Sequence, residues 1–339
     1  MRPNSPAERP ATAPRLEALL ALLADGCFHS GDAIGQAAGV SRAAIWKVVE
    51  QLRALGVPIE AVRGRGYRLP KPVELLAVDV IQQHLSQLGA PRLPLEVLLQ
   101  CDSTNRVLLE RAKAGEGNQL LTTEVQTAGR GRWGRRWIAP FGSTLCLSLL
   151  WRFPVLPHGL AGLSLAIGIV CAEALGRLGV GIRLKWPNDL LLDGRKLGGI
   201  LVELVGEVSG PCSVVIGLGM NLADAELIAE DAGQPVAALS EADVGLARQR
   251  NLLLATLAAA MMHACERFAE EGFRAFHSQW LGYDHLAGKP VVLSLPREEV
   301  RGIARGVDTQ GALLLEREGL VETWISGDLR LRLRHDASA

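Results

Sequence analysis

Residues 129–137 read GRGRWGRRW: three glycines, four arginines and two tryptophans in nine positions, with no acidic residue among them. Arginines supply planar forks of donors that match phosphate or carboxylate oxygens, and glycines let the backbone take positive φ. The tryptophans offer faces against which a purine or another ring can stack. The first six letters also fit G-x-G-x-x-G, the dinucleotide-binding fingerprint. That motif needs a strand before it, a helix opening within it and an acid about 20 positions later. A strand-like LLTTEVQ precedes, but Pro140 and Gly142 fall where the helix should run, and no Asp or Glu follows until Glu173. The composition suits a mobile loop that closes over an anion. A basic surface loop for nucleic acid is the alternative on this stretch alone.

Four other stretches carry polar groups at the ends of apolar segments. CDSTN (101–105) follows the strand-like LEVLLQ and sets Ser103, Thr104 and Asn105 at a helix start, as ligands or as simple caps. KWPND (185–189) clusters Lys185, Asn188 and Asp189 on a turn, which suits triphosphate and Mg²⁺ or an ordinary turn with flanking charge. GRKLGGILVE (194–203) has Lys196 and two adjacent glycines in an otherwise apolar strand. Gly-Gly weakens a strand, so a ligand or another backbone is expected close by. GLGMN (217–221) again ends a strand in glycines and an amide.

The elements that must position these groups fall into three textures. With 339 residues, 48% of them apolar, the chain can hold two or three domains, and its net charge of zero announces no global partner. Residues 1–14, rich in Pro and Ala, read as a disordered lead-in without the apolar stretch of a signal peptide. Residues 15–70 carry three short helices and a hairpin. In RAAIWKVVEQLRALG, Ile45, Val48, Val49, Leu52 and Leu55 form one apolar stripe, with Ser41 as N-cap. Trp46 falls away from the centre of that stripe, where a polar or small residue is expected. After the stiff PKP of 70–72, residues 74–285 mix helices and strands. Residues 288–334 hold five short strands, the pattern of a small all-β barrel. The longest uncharged stretch, Phe153 to Ala172, is interrupted by prolines and too short in its apolar part to span a bilayer. The six cysteines are scattered, without C-x-x-C, as in a reduced cytoplasmic protein.

CDSTN, GRGRWGRRW, KWPNDL, GRKLGGILVE and GLGMNL, in this order, resemble the biotin–protein ligases. The three-region arrangement, from about residue 15 to 334, is similar to the family's bifunctional bacterial members, which also repress the biotin operon. The resemblance implies an α+β multidomain fold. It consists of an N-terminal winged helix-turn-helix, a central mixed α/β ligase domain of the class II synthetase type, and a C-terminal SH3-like barrel. It implies that biotin's carboxylate attacks the α-phosphate of ATP to give biotinyl-5′-AMP, and that a lysine of biotin carboxyl carrier protein then displaces AMP. Biotin would be held by Ser103, Thr104, Asn105, Gln126, Arg130, Gly131, Arg132 and Lys196. The adenylate and ATP would be held by Arg132, Trp137, Lys185, Asn188 and Asn221, and Mg²⁺ by Asn188 and Asp189. Lys196, Arg132, Lys185 and Asp189 would carry the chemistry, with no prosthetic group and no covalent enzyme intermediate. The other implied partners are operator DNA and a second copy of the chain in the adenylate-bound state; no membrane is implied.

The residues support the DNA-binding half independently. From Ser41 to Lys71 there are seven basic residues against two acidic ones, a local excess of five in a neutral chain. Arg42 and Lys47 on the third helix and Arg63 and Arg65 at the hairpin tip are the expected DNA contacts; a three-helix interaction domain with solvated charges is the alternative. Two further readings stay open: a sensor whose ligase-like domain only binds its ligand, and lipoate attachment on a related fold.

Overall fold

The computed structural model describes residues 13–39, 41–154, 160, 162–206, 211–294, 299–325 and 330–333. Most of the expected lead-in therefore lies outside the described residues. Its last two positions do not fit that expectation, because the first helix already starts at Ala13, with Pro14 in the opening turn where a missing N–H is tolerated.

The N-terminal unit comprises α1 (Ala13–Leu23), α2 (Gly31–Ala38), α3 (Arg42–Ala54) and the hairpin β1 (Glu60–Val62) and β2 (Gly66–Arg68). Ser30 caps α2 through its side chain, and Gly39 turns the chain in the left-handed region at φ 62°. Ser41 stands at the N-cap of α3 but makes no side-chain cap bond, so the expected capping there is positional only. Gly66 is obligatory: a Cβ on it would fall 1.8 Å from the His29 carbonyl oxygen, which the hairpin crosses. Ile45, Val48, Val49 and Leu52 join Leu19, Leu20 and Leu23 in one core. Val125 and Phe141 from the next unit enter the same core, so the two bodies are continuous.

The central unit is a seven-stranded mixed sheet in the order β3-β4-β7-β11-β10-β9-β8. Its strands are β3 (Leu95–Cys101), β4 (Gln119–Gln126), β7 (Thr144–Phe153), β8 (Arg183–Lys185), β9 (Asp189–Leu192), β10 (Arg195–Val205) and β11 (Cys212–Asn221). A two-stranded flap, β5 (Gly129–Arg130) and β6 (Arg136–Trp137), lies between β4 and β7 in sequence. Only β3 and β4 pair in parallel, because α5 (Thr104–Lys113) crosses between them. Side chains alternate across the sheet. Leu145, Leu147 and Leu149 of β7 and Val214, Ile216 and Leu218 of β11 face a core closed by α4 (Val78–Gln87), α6 (Leu163–Arg177) and α9 (Arg250–Glu271). On the opposite face, Leu150 and Val215 pack under α5. Two shorter helices, α7 (Ala225–Ala232) and α8 (Val244–Arg248), precede α9.

After α10 (His277–Tyr283) come β12 (Pro290–Ser294), β13 (Glu299–Val307), β14 (Leu313–Arg317), β15 (Leu320–Trp324) and β16 (Arg330–Leu333), forming one antiparallel sheet. The buried Trp186 indole donates to the Gly311 carbonyl (3.1 Å), tying this unit to the central one. Among the described residues one helix, Arg250–Ala275, is long and apolar enough to cross a membrane; 67% of its most apolar window is buried in the protein itself.

The segment joining the first two units is anchored by a buried ion pair. Glu124 accepts from Arg250 Nη1 (2.7 Å) and from the Leu76 N–H (2.5 Å), and Asn251 bonds the backbone at Leu75 and Ala77. Removing one member of a buried pair leaves the other charge uncompensated. Glu124→Ala is expected to destabilise the protein by about 3–5 kcal/mol, read from the midpoint and slope of urea unfolding.

Candidate active site

Ser148 and Cys146 of β7 and Gly217 and Gly219 of β11 share the sheet face opposite the helical core, beyond the part that α5 covers. The glycines create space for particular side chains. A Cβ at Gly217 would lie 2.2 Å from Asn105 Oδ1, and one at Gly219 would lie 2.5 Å from the Trp137 ring. Gly198 fulfils the expectation of close backbone approach, since its Cβ would meet the Gly219 carbonyl at 2.6 Å. The result is a cavity of about 880 Å³ lined by every residue assigned above to biotin, ATP or the chemistry, from Ser103 to Asn221.

At one end the CDSTN residues are wired into the sheet and do more than cap α5. Ser103 occupies the N-cap position without a side-chain cap bond. Thr104 donates from its N–H (3.0 Å) and hydroxyl (3.3 Å) to Gln126 Oε1. Ser148 Oγ lies 2.7 Å from Thr104 Oγ1 and 2.6 Å from Asn105 Oδ1. Asn105 Nδ2 donates to Glu203 Oε2 (2.9 Å) and the Leu201 carbonyl (3.3 Å). A fully bonded network of this kind fixes amide orientation before any ligand arrives. Ser148 and Glu203 were not anticipated from sequence. The signal for Ser148 was its hydroxyl within the otherwise apolar strand TLCLSLLW.

Deeper along the cavity, Asp189 is bracketed by Lys196 Nζ at 2.8 Å and Lys185 Nζ at 3.0 Å. Burial alone would push the Asp189 carboxyl up; the two ammonium groups outweigh it and hold it below the usual carboxylate range. Asn188 Nδ2 donates to the Ile200 carbonyl (2.8 Å). Asn188 and Asp189, the residues expected to meet magnesium, are adjacent here, with both Asp189 oxygens facing lysine ammonium groups. Asn221 donates to the Lys196 (3.3 Å) and Ala237 (3.1 Å) carbonyls, while its Oδ1 is buried without a partner. His285 lines the same cavity, and its pKa is lowered by burial and by Lys289, Lys185 and Arg183.

The arginine-rich loop is a closed hairpin, not the start of a helix. Gly129 pairs with Trp137 and Arg130 with Arg136, the Gly131 N–H donates to the Arg135 carbonyl (2.7 Å), and Trp133 turns at φ 65°. Arg130 reaches Glu203 at 3.5 Å, which links the flap to the network beneath it. Burial pushes the Cys146 thiol up to about 11 and Cys101 up to about 12, so neither offers a thiolate at neutral pH.

On the N-terminal unit, Lys47, Arg63 and Arg65 are exposed. Arg65 lies over the Phe28 ring at 4.0 Å. The side chain of Arg42 is outside the described residues. Part of the basic excess is consumed internally: Arg53 pairs with Glu50, Arg68 with Glu60, and Lys71 with Asp224.

The chain matches three known families along its length: an HTH domain over 15–68, the biotin/lipoate A/B protein ligase family over 97–221, and the biotin protein ligase C-terminal domain over 287–332. Fold and site thus define a winged-helix protein fused to a ligase of the biotin/lipoate class. It is 44% identical over 315 residues to the bifunctional ligase/repressor BirA of Salmonella typhimurium, covering 93% of this chain and 96% of that protein. The Escherichia coli K12 protein of the same name matches at the same identity and coverage. A solved biotin protein ligase from Aquifex aeolicus, in complex with biotin and ATP, superposes with a TM-score of 0.61 at 27% identity, covering 71% of this chain and 99% of that one. The chain belongs to the biotin–protein ligase family, in its bifunctional ligase/repressor form.

Because the Asp189 pKa is lowered on folding, its contribution to stability is complete above the ordinary carboxylate range and is lost as pH falls through the depressed value. Asp189→Asn should therefore lower the denaturation midpoint at pH 7, and the gap to wild type should narrow as the pH falls below the ordinary carboxylate range. A gap that stays constant with pH would contradict the ion-pair assignment.

Proposed function

We propose that this chain is an ATP-dependent biotin–protein ligase that forms biotinyl-5′-AMP and transfers biotin to a lysine of a biotin carboxyl carrier protein. We further propose that its winged helix represses a biotin operon, with the adenylate as corepressor. One observation carries the ligase reading: two lysines sharing one carboxylate, in a cavity that an arginine hairpin closes and a bonded polar network floors.

The chemistry follows from charge. A carboxylate is a poor acyl donor, so an oxygen of biotin's carboxylate bonds to the α-phosphorus, the bond to the bridging oxygen breaks, and pyrophosphate leaves. Lys196, Lys185 and Arg132 bring two mutually repelling anions together and stabilise charge building on phosphorus; Asp189 holds the lysines in place. Ser103, Thr104, Asn105, Gln126 and the flap residues Arg130 and Gly131 orient biotin. Trp137 stacks on adenine, and the unpartnered Asn221 Oδ1 suits its amino group. Magnesium would arrive with the ATP phosphates, with Asn188 and Asp189 as its candidate protein ligands. In the second step the carrier amine, having lost its proton, attacks the acyl carbon and AMP departs. No cysteine is poised as a nucleophile, in keeping with direct transfer.

The functional units are taken as 15–70, 74–285 and 288–334. The adenylate-bound chain is proposed to pair with a second copy through the central sheet and to bind a two-half operator through Arg42, Lys47, Arg63 and Arg65. Free thiols and an ATP-dependent reaction support a cytoplasmic location.

Incubation with MgATP, biotin and a carrier domain should add one biotinyl group to one carrier lysine, seen by intact-mass analysis. No addition, or addition only with lipoate, would refute the reading. Lys196→Ala should slow biotin-dependent pyrophosphate release about a hundredfold or more. Arg132→Gly should instead release the adenylate, detected as biotin on lysines of bystander proteins; a variant that still retains its intermediate would argue against the flap's closing role.

A further inference from the structure

Trp46 is 62% exposed on α3, beside the exposed Lys47 and opposite the buried Ile45, Val48, Val49 and Leu52. An indole is among the largest apolar groups a helix can present, and leaving it in water forgoes the burial that stabilises the rest of the helix. The surroundings are chemically selective. Lys47, Arg63 and Arg65 lie exposed on the same small unit with no carboxylate partner among the described residues, and Arg65 is steadied over Phe28. Glu50, the acid one turn beyond Trp46, is tied to Arg53, whose guanidinium also donates to the Ile59 carbonyl (2.7 Å). The exposed surface of the unit therefore carries these cations and, as its largest exposed apolar group, the Trp46 indole.

A partner must offer anions at its edges and a small apolar group between them. Duplex DNA does so in its major groove, where phosphates flank the base edges and the thymine C5 methyl is the apolar feature. Trp46 lies in the second turn of α3, in the N-terminal half of the helix that follows the left-handed Gly39 turn. In a helix-turn-helix that half reaches the bases.

We propose that Trp46 is a specificity-determining residue that packs against a thymine methyl in the operator, while Lys47, Arg63 and Arg65 hold the phosphates. This rests on the reading of the winged helix as an operator-binding unit. The division of labour makes sequence preference depend on one apolar contact and the salt dependence of binding on the cations.

The test uses the full chain with biotin and MgATP. Duplexes are first selected from a random library, and each thymine of the selected site is then replaced singly by deoxyuridine, which removes only the C5 methyl. Wild type should lose about fourfold in affinity at one or two positions per half-site. Trp46→Ala should bind the unmodified duplex more weakly, lose nothing further at those positions, and keep both the remaining profile and the slope of log affinity against log salt. Carrier biotinylation and the thermal midpoint should stay at wild-type values. A deoxyuridine profile unchanged by Trp46→Ala, or a loss of affinity shared equally with scrambled duplexes, would overturn the assignment. Selection of no sequence by the wild-type chain would overturn the operator reading itself.

Discussion

Two ammonium groups that converge on one carboxylate set the terms for the rest of the cavity. A lone lysine in so enclosed a place would shed its proton or draw in water. With Asp189 between them, Lys185 and Lys196 each have an ion-pair partner, and the three groups together carry a formal charge of one positive. The backbone around them is tied down accordingly. Lys196 exchanges hydrogen bonds with the strand-like segment at Pro235 and Ala237, and the Leu184 carbonyl, next to Lys185, accepts from His285. The lysines are presented by rigid strands, and only their flexible stems need to move.

Room for ligand comes from the period-two geometry of the sheet. The residues of β7 and β11 that point away from the helices include the Ser148 hydroxyl and two glycines, and these fall where Asn105 and Trp137 lie across the sheet. A side chain at Gly217 or Gly219 would fill the cavity from below. The flap, short and glycine-punctuated, closes it from above. Floor, walls and flap thus draw on strands far apart in sequence yet adjacent in the sheet, which is why the motifs recur within and at the ends of successive strands.

That recurrence made the site legible in the sequence. Glycines inside apolar strands and polar clusters at strand ends are local signals with local causes, and the strands and helices that bear them follow from alternation and from the 3.6-residue period. What could not be read depends on tertiary pairing. Nothing near Glu203 announces that it turns Asn105. Nothing near Arg250 announces that it meets Glu124 across 126 positions. Asp189 shows the same dependence: in the chain Asn188 and Asp189 look like oxygen ligands, and only folding brings Asp189 two lysines, from β8 and β10. A sequence lists donors and acceptors without saying which of them are already satisfied.

The same pairing joins the two activities physically. Val125 belongs to the core of the N-terminal unit, and its neighbour Gln126 accepts from Thr104 at the floor of the cavity. Phe141, a few residues beyond the flap, enters that core too. Lys71, just past the hairpin, bonds Asp224 at the start of α7, the helix whose Ile228 and Ala232 line the cavity. The winged helix therefore does not hang from a loose tether. Its core and its linker adjoin the strands, flap and helix that line the ligand cavity, so a displacement of those elements is felt by the same packed side chains that hold α3.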